Sequence, residues 1–186
     1  MICIVDFGSS KTPDVALCLT ELGYLNRIVA WAPGFVLPET SSGIILSGAP
    51  VLLTETDQKI YTSSMGFLRA VSVPVLGICF GHQLLALLFG GKVFKGPEVR
   101  VAINIAVLEK NNLFDGLGNQ LIMKEDHTEG IILPPSFITL ASSEKYEVEA
   151  MRHPILPVFG VQFHPEVSGE PGLQLLHNFC KLTKAE

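Results

Sequence analysis

One cysteine of the chain stands where an apolar strand is followed at once by a helix. The segment Val75–Gln83 reads VLGICFGHQ, so Gly77 and Gly81 lie two residues to either side of Cys79. This spacing is the G-x-nucleophile-x-G pattern, in which a sharp turn pushes the central side chain into a cleft and leaves room only for small neighbours. The N-terminus of the helix has a partial positive charge that favours a thiolate. The pattern therefore predicts Cys79 as a nucleophile, although a buried cysteine before an ordinary helix could have the same sequence.

A thiolate nucleophile needs a base, and the base needs a group that orients it. Near the C-terminus, the sequence GVQFHPE ends a predicted strand at His164, and Pro165 stops further ladder bonding. Residues i and i+2 of an extended chain point to the same side, so Glu166 can lie beside the imidazole. We therefore predict a triad of Cys79, His164 and Glu166. Three other histidines are interpreted as turn, helix-surface or packing residues: His82, His153 and His177.

The elements that must position these residues differ between the two halves of the chain. In the first half, the pattern predicts strands at 2–7, 25–30, 43–46 and 73–78 and helices at 13–23, 57–70 and 81–89. Strands that are apolar on both faces and alternate with helices indicate a parallel sheet covered on both sides.

The second half is rich in strands. The pattern predicts strands at 99–108, 121–125, 138–142, 148–152 and 158–163 and a last helix at 170–182. These strands have little helix between them, which indicates antiparallel strands added to one edge. We predict a single α/β domain over residues 1–186, with a flavodoxin-like, mixed and mostly parallel sheet, helices on both faces and antiparallel edge strands.

Composition excludes several classes of protein. Of 186 residues, 48% are hydrophobic, and 13 basic residues face 18 acidic ones without any basic cluster, so we expect no nucleic-acid partner. No apolar run of membrane-spanning length occurs, and the N-terminus lacks a basic region, so we expect neither a membrane partner nor a signal peptide. The four cysteines match no zinc pattern, and we predict no metal site and a cytoplasmic location.

The motifs GICFGHQ and GVQFHPE together resemble the signature pair of the class I glutamine amidotransferases. Two further segments support the resemblance, which covers nearly the whole chain. Residues 47–50, SGAP, match the family's S-G-G-P loop at three of four positions, and residues 112–117, NLFDGL, resemble its LF-x-GL turn. The extended matches GHQLLA and GVQFHPEV are most similar to the glutaminase part of GMP synthases.

The resemblance implies a role for each motif residue. Cys79 would attack the side-chain amide carbon of L-glutamine, His164 would pass the thiol proton to departing ammonia, and Glu166 would orient His164. Water would then hydrolyse the glutamyl thioester to glutamate. The oxyanion and substrate-binding site would contain Gly48, Ala49, Phe80, Gln83, His127 and Thr128.

The chain also departs from the family pattern at three places. Ala49 replaces a glycine, and it would strain the loop if the position required a positive φ. We therefore expect an oxyanion hole that stays poorly formed until a synthase subunit docks. Residues 8–13 replace the family's G-x-Q-Y segment, and residues 126–129 replace its S-H-x-D segment. A solvated polar loop is the other interpretation of residues 124–129.

Glutamine hydrolysis alone would waste glutamine, and the chain has no P-loop or other ATP-binding motif. The resemblance therefore implies a separate ATP-pyrophosphatase synthase subunit that would hold ATP and Mg²⁺ and convert XMP to GMP, with no cofactor in this chain. Three alternatives stay open. They are a subunit of an anthranilate or aminodeoxychorismate synthase, whose G-P-G-P-type loop is absent here; a stand-alone hydrolase of γ-glutamyl amides or peptides; and an inactive regulatory module, against which the intact triad argues.

Overall fold

The computed structural model describes residues 1–184, and in the first half of the chain strands and helices alternate as predicted. These elements are β1 (Ile2–Asp6), α1 (Thr12–Glu21), β2 (Asn26–Ala30), β3 (Gly43–Leu46), α2 (Gln58–Ser64), β4 (Val75–Ile78) and α3 (Phe80–Leu88). The four strands are parallel and lie in the order β2-β1-β3-β4.

The second half extends this sheet and adds a small one. Its elements are β5 (Lys92–Val99), β6 (Ala102–Val107), β7 (Gln120–Lys124), β8 (His127–Ile132), β9 (Ile138–Ser142), β10 (Ala150–Arg152), β11 (Val158–Val161) and α4 (Glu170–Leu182). β11 pairs with β4, and β10, β9, β6 and β7 follow with antiparallel pairing, which completes a nine-stranded sheet. β5 and β8 form a separate antiparallel pair. The mixed α/β sheet predicted from the sequence is confirmed.

The two faces of the sheet have different partners. Ile2 and Ile4 of β1 pack in one cluster with buried residues of α1 and α4, whereas Cys3 and Val5 pack in a second cluster with buried residues of α3. Alternate residues of a strand point to opposite faces, so the sheet is covered by helices on both sides. Among residues 1–184, no helix combines the length and the apolar character needed to cross a membrane.

Several local expectations were wrong. Residues 99–108 are not one strand, because β5 ends at Val99 and β6 begins at Ala102. The helix expected at 57–70 ends at Ser64 and is followed by a 3₁₀ turn over Gly66–Ala70, since glycine disfavours helix continuation. β11 is parallel to β4, whereas an antiparallel strand was expected.

The polar segment at 124–129 is not a solvated loop. β8 begins at His127, and both His127 and Glu129 are buried, with 7% and 1% of their surface exposed. The sequence pattern does not predict this strand, because the buried positions at its start, His127 and Glu129, are polar and break the apolar alternation by which strands are recognised.

Candidate active site

The turn between β4 and α3 carries the predicted nucleophile. Cys79 has φ 51° and ψ −104°, and it is the only non-glycine residue with positive φ in the part of the chain that the structure describes. A Cβ on Gly77 would lie 2.5 Å from the backbone of Gly81, and a Cβ on Gly81 would clash with the carbonyl oxygen of Leu46. Both glycines are therefore required by close backbone approach, and the turn has the sharp geometry that the spacing predicts.

The predicted base lies just beyond β11. The backbone N–H of His164 donates to the carbonyl of Lys124 at 2.8 Å, and a 3₁₀ turn follows at Pro165–Val167. The Nδ1 atom of His164 lies 2.7 Å from Oε1 of Glu166. Because a carboxylate only accepts, Nδ1 carries the proton and donates it, which leaves Nε2 as the ring nitrogen available to Cys79, whose side chain lines the same cleft as His164. The structure thus brings Cys79, His164 and Glu166 together in the order of a triad.

The charge state of His164 follows from its neighbours. Burial lowers the pKa of His164, but the interactions of the ring with Cys79 and with the Glu166 carboxylate outweigh burial and raise that pKa to about 9. At neutral pH the ring is therefore an imidazolium. A positive charge on this ring is also what a general acid needs when it protonates a leaving group.

The loop after β3 lies against this triad. The N–H of Gly81 donates to the Ser47 carbonyl at 3.1 Å, and the Ser47 hydroxyl donates to the Gly48 carbonyl at 2.8 Å. A Cβ on Gly48 would come within 3.3 Å of the His164 ring, tighter than most such contacts, which explains the glycine at this position. As the first residue of α3, Phe80 has an N–H without an acceptor inside the helix, so this N–H is available to an oxyanion.

The strain expected at Ala49 is absent. Since Cys79 is the only non-glycine residue with positive φ within residues 1–184, Ala49 does not have the positive φ that would strain an alanine. The steric reason given for a poorly formed oxyanion hole was therefore wrong.

The remaining predicted site residues separate into two groups. Ala49, His127 and Thr128 line a cleft of about 310 Å³ together with Cys79 and His164. This volume is at the lower end of the range for small-molecule sites.

Gln83, by contrast, is 3% exposed and faces the protein interior. Its amide nitrogen lies 3.0 Å from the Glu129 carbonyl and 3.2 Å from Oε1 of Gln162, to which it donates. Gln83 therefore connects α3 to β8 and to the segment after β11, and it is not among the residues that line the cleft.

Sequence reasoning did not assign roles to three charged residues at the cleft. Lys11 donates to Asp126 at 2.6 Å, and Arg100 donates to the other oxygen of Asp126 at 2.9 Å. The Lys11 hydrogen bond holds the pKa of Asp126 below its usual range. The only signal in the sequence was that residues 8–13 and 126–129 both depart from the family pattern, and the structure shows these two segments in contact.

Glu129, the second choice for the group that orients His164, binds the backbone of another segment. Its two carboxylate oxygens accept hydrogen bonds from the N–H groups of Leu53 and Thr54, at 2.9 and 2.7 Å. Glu129 therefore fixes the segment that follows residues 49–52, which line the cleft. One polar residue in the sequence does not indicate such a role.

Comparisons with known proteins agree with this geometry. Residues 3–182 match the family described as glutamine amidotransferase class-I. The chain therefore belongs to the class I glutamine amidotransferase family, whose members use a cysteine nucleophile.

Similarity to individual proteins is more informative than the family match alone. The chain is 40% identical to the glutamine-hydrolyzing GMP synthase subunit of Pyrococcus abyssi over 98% of both chains. It is 42% identical to the corresponding subunit of Methanosarcina barkeri over 79% of this chain and 76% of that one. Among solved structures, a Thermoplasma acidophilum protein assigned as a GMP synthase subunit superposes with a TM-score of 0.89 at 32% identity, covering 98% of this chain and 92% of that one.

Proposed function

We propose that this chain is the glutaminase subunit of a two-subunit GMP synthase, which hydrolyses L-glutamine and passes ammonia to a separate synthase subunit. The arrangement of Cys79 and His164 in the cleft, with Glu166 hydrogen-bonded to His164, carries the proposal. The identity of 40% to the GMP synthase subunit of Pyrococcus abyssi, over nearly the full length of both chains, supports the choice of synthase.

The first half of the reaction forms a thioester. The Cys79 sulfur attacks the side-chain amide carbon of glutamine, and the carbonyl oxygen becomes an oxyanion. The Phe80 N–H and an N–H of the 47–50 loop stabilise that charge, and losing one such donor typically costs about 2.7–4 kcal/mol in barrier height. When the carbon–nitrogen bond breaks, the His164 imidazolium donates its proton to the leaving nitrogen, which departs as ammonia.

The second half regenerates the enzyme. Neutral His164 takes a proton from water, and the resulting hydroxide adds to the thioester carbonyl. A second oxyanion forms in the same place and collapses, which breaks the carbon–sulfur bond and releases glutamate. Cys79 leaves as a thiolate, so the thiolate–imidazolium pair is restored. Glu166 stabilises the positive charge on the ring in both halves.

The charges at the cleft suit an amino-acid substrate. Glutamine has an ammonium and a carboxylate group at its α-carbon, and the cleft is lined by Lys11, Arg100 and Asp126. Cations of this kind attract the carboxylate, and the Asp126 carboxylate attracts the ammonium. A plain amide without these groups would gain neither interaction.

Glutamate release tests the chemistry. The wild-type protein should convert glutamine to glutamate and ammonia, and Cys79→Ala should abolish this activity while the circular dichroism spectrum stays unchanged. Cys3→Ala, Cys18→Ala and Cys180→Ala are matched controls that should keep the activity, and a glutamine-like chloroketone should label Cys79 alone. Labelling of another cysteine, or activity in Cys79→Ala, would contradict the assignment.

A second experiment tests the acceptor. The chain is mixed with the ATP-pyrophosphatase subunit of GMP synthase encoded in the same genome, with XMP, ATP and Mg²⁺, and GMP is measured. We expect GMP formation from glutamine, whereas a mixture with Cys79→Ala should make GMP only when ammonia is added. If glutamine supports no GMP formation although the chain releases glutamate, the acceptor is another synthase or water.

A further inference from the structure

Three ionisable side chains meet inside the protein, outside the proposed triad. They are Glu125, His127 and Glu149, all buried, with one ligand atom of each lying within 4.8 Å of the others. Glu125 follows β7, His127 begins β8, and Glu149 directly precedes β10. The cluster therefore joins three separate segments.

The orientation of the His127 ring is set by a backbone group. Its Nδ1 atom lies 2.8 Å from the carbonyl oxygen of Glu129. A carbonyl can only accept, so Nδ1 carries the proton, and the neutral ring presents the lone pair of Nε2 to the other side. On that side, Nε2 lies 2.8 Å from Oε2 of Glu125. Two acceptors therefore face each other, and a cation or a proton must lie between them. A histidine whose far nitrogen is held by a carbonyl is also the usual form of a metal ligand.

The carboxylates of the cluster lack donors. In the described part of the chain, neither oxygen of Glu125 has a hydrogen-bond partner, nor does Oε2 of Glu149, and all three atoms are enclosed. Glu149 accepts one hydrogen bond, from the Ser143 hydroxyl at 2.6 Å. Among the charged groups that act on the three side chains, none is a lysine or an arginine.

A nearby buried carboxylate, that of Glu129, does have hydrogen-bond donors. Glu129 is equally buried, yet its two oxygens accept from two backbone N–H groups. Burying a carboxylate without donors or a counter-charge is costly, so groups in this situation pair with a cation or give up their charge. Glu125, whose side chain is 0% exposed, has neither kind of partner among residues 1–184.

We propose that Glu125, His127 and Glu149 bind one divalent transition-metal ion, with Zn²⁺ or Mn²⁺ as the best fit. Two carboxylates and a neutral imidazole balance the charge of a divalent cation, which removes the net charge from the interior. Carboxylate oxygens and an imidazole nitrogen are ligands of both ions. Mg²⁺ should bind much more weakly, because it prefers oxygen ligands alone.

The bound ion would order one wall of the cleft. It would tie β8, which belongs to the small sheet, to β10 of the nine-stranded sheet. Asp126, His127 and Thr128 line the cleft, and two ligands of the ion lie within or directly before this segment. The role is therefore structural, and it does not depend on the proposed reaction. The sequence predicts no metal site here, because the ligands do not follow any familiar spacing.

Metal titration tests the site directly. The titration uses tag-free, metal-stripped Cys79→Ala protein, so that the thiolate and His164 cannot form a competing site. Calorimetry with Zn²⁺ and with Mn²⁺ should show one ion per chain, and thermal unfolding should move to higher temperature with metal. With Co²⁺ as a spectroscopic probe, visible absorption bands should appear on binding.

Two glutamate-to-glutamine variants are compared for their Zn²⁺ affinity. Glu149→Gln removes a proposed ligand and should weaken Zn²⁺ affinity at least tenfold, whereas Glu147→Gln, exposed and two residues away, should leave it unchanged. Glu125→Gln serves if Glu149→Gln does not fold. Failure of both metals to bind, or unchanged affinity in the ligand variants, would overturn the proposal. If metal does not bind and Glu149→Gln raises the unfolding temperature, the cluster is a carboxyl pair that shares a proton.

Discussion

At the scale of single residues, the chemistry of the cleft depends on the charge of one imidazole. Burial lowers the pKa of His164, but the interactions of the ring with Cys79 and Glu166 raise it to about 9. The ring stays cationic at neutral pH, and in the proposed reaction it can therefore protonate the leaving nitrogen.

The raised pKa of His164 predicts that the pH profile of glutamine hydrolysis shifts when Glu166 is replaced. In the wild-type protein, kcat/KM should fall as the pH rises through about 9, because His164 then loses the proton that the leaving nitrogen needs. Glu166→Gln removes one of the groups that raise this pKa, so the alkaline limb should move to lower pH by about one unit or more.

Glu166→Gln should also keep more activity than His164→Ala, because the glutamine amide can still orient the His164 ring. The ammonium of free glutamine titrates identically in both assays, so the difference between the two profiles reports on the enzyme. An alkaline limb that does not move in Glu166→Gln would mean that Glu166 does not set the charge of His164.

At the scale of elements, the strand-to-helix turn stores strain at the position of the proposed nucleophile. Cys79 has a positive φ, which is unfavourable for any residue with a Cβ, and its glycine neighbours let β3, β4 and the start of α3 approach closely. The surrounding sheet hydrogen bonds hold the turn, since the Cys79 N–H donates to the Val161 carbonyl at 2.9 Å.

Stability measurements should reveal this strain. We expect Cys79→Gly to be more stable than Cys79→Ala by about 1 kcal/mol in free energy of unfolding, because glycine adopts positive φ freely. Ala86→Gly, in the interior of α3, is the control, and there glycine should be less stable than the native alanine by about 1 kcal/mol. Chemical denaturation gives the free energy of unfolding of the glycine and alanine forms at each position. If alanine is the more stable form at position 79 as well as at position 86, the turn is not strained.

At the scale of the whole molecule, a histidine between α3 and the sheet links stability to pH. His82 is 0% exposed, and burial lowers its pKa to about 3, with a smaller contribution from His127. The backbone at Gly160 and Val148 offsets part of this effect. Below a pH of about 6.5, the unfolded chain binds a proton at His82 that the folded protein does not bind.

Acid should therefore destabilise the wild-type protein more than a variant without this ring. Between pH 6.5 and 4, His82 should remove up to about 3 kcal/mol of stability, and His82→Leu should recover that part of the loss. His177→Leu on α4, where the side chain is partly exposed, is the control and should follow the wild type. Urea unfolding at several pH values gives the free energies. Equal acid sensitivity in all three proteins would contradict a neutral, buried His82.

Several features were predictable from the sequence because they are local. The turn at Cys79 depends on a strand, two glycines and a helix within nine residues, and the contact of His164 with Glu166 spans two residues. The parallel half of the sheet was also predictable, because continuous apolar strands alternate with helices. The family assignment followed from the same motifs, and the comparisons confirm it. A cytoplasmic location and the absence of a cofactor in this chain stay predictions.

Other features depended on the tertiary structure, because they join residues that are distant in the chain. Lys11 meets Asp126 across 115 positions, and Glu129 holds the backbone of Leu53 across 76. The parallel direction of β11 depends on its place beside β4 in the sheet, which no local pattern encodes. Hydrophobic periodicity indicates which side of a segment is buried. A buried polar side chain does not contribute to that pattern, so the sequence does not distinguish it from a surface residue. For that reason the sequence alone identified the family and predicted a nucleophile and its base, whereas only the folded chain revealed the charged residues of the cleft, the contacts of Glu129 and the cluster around His127.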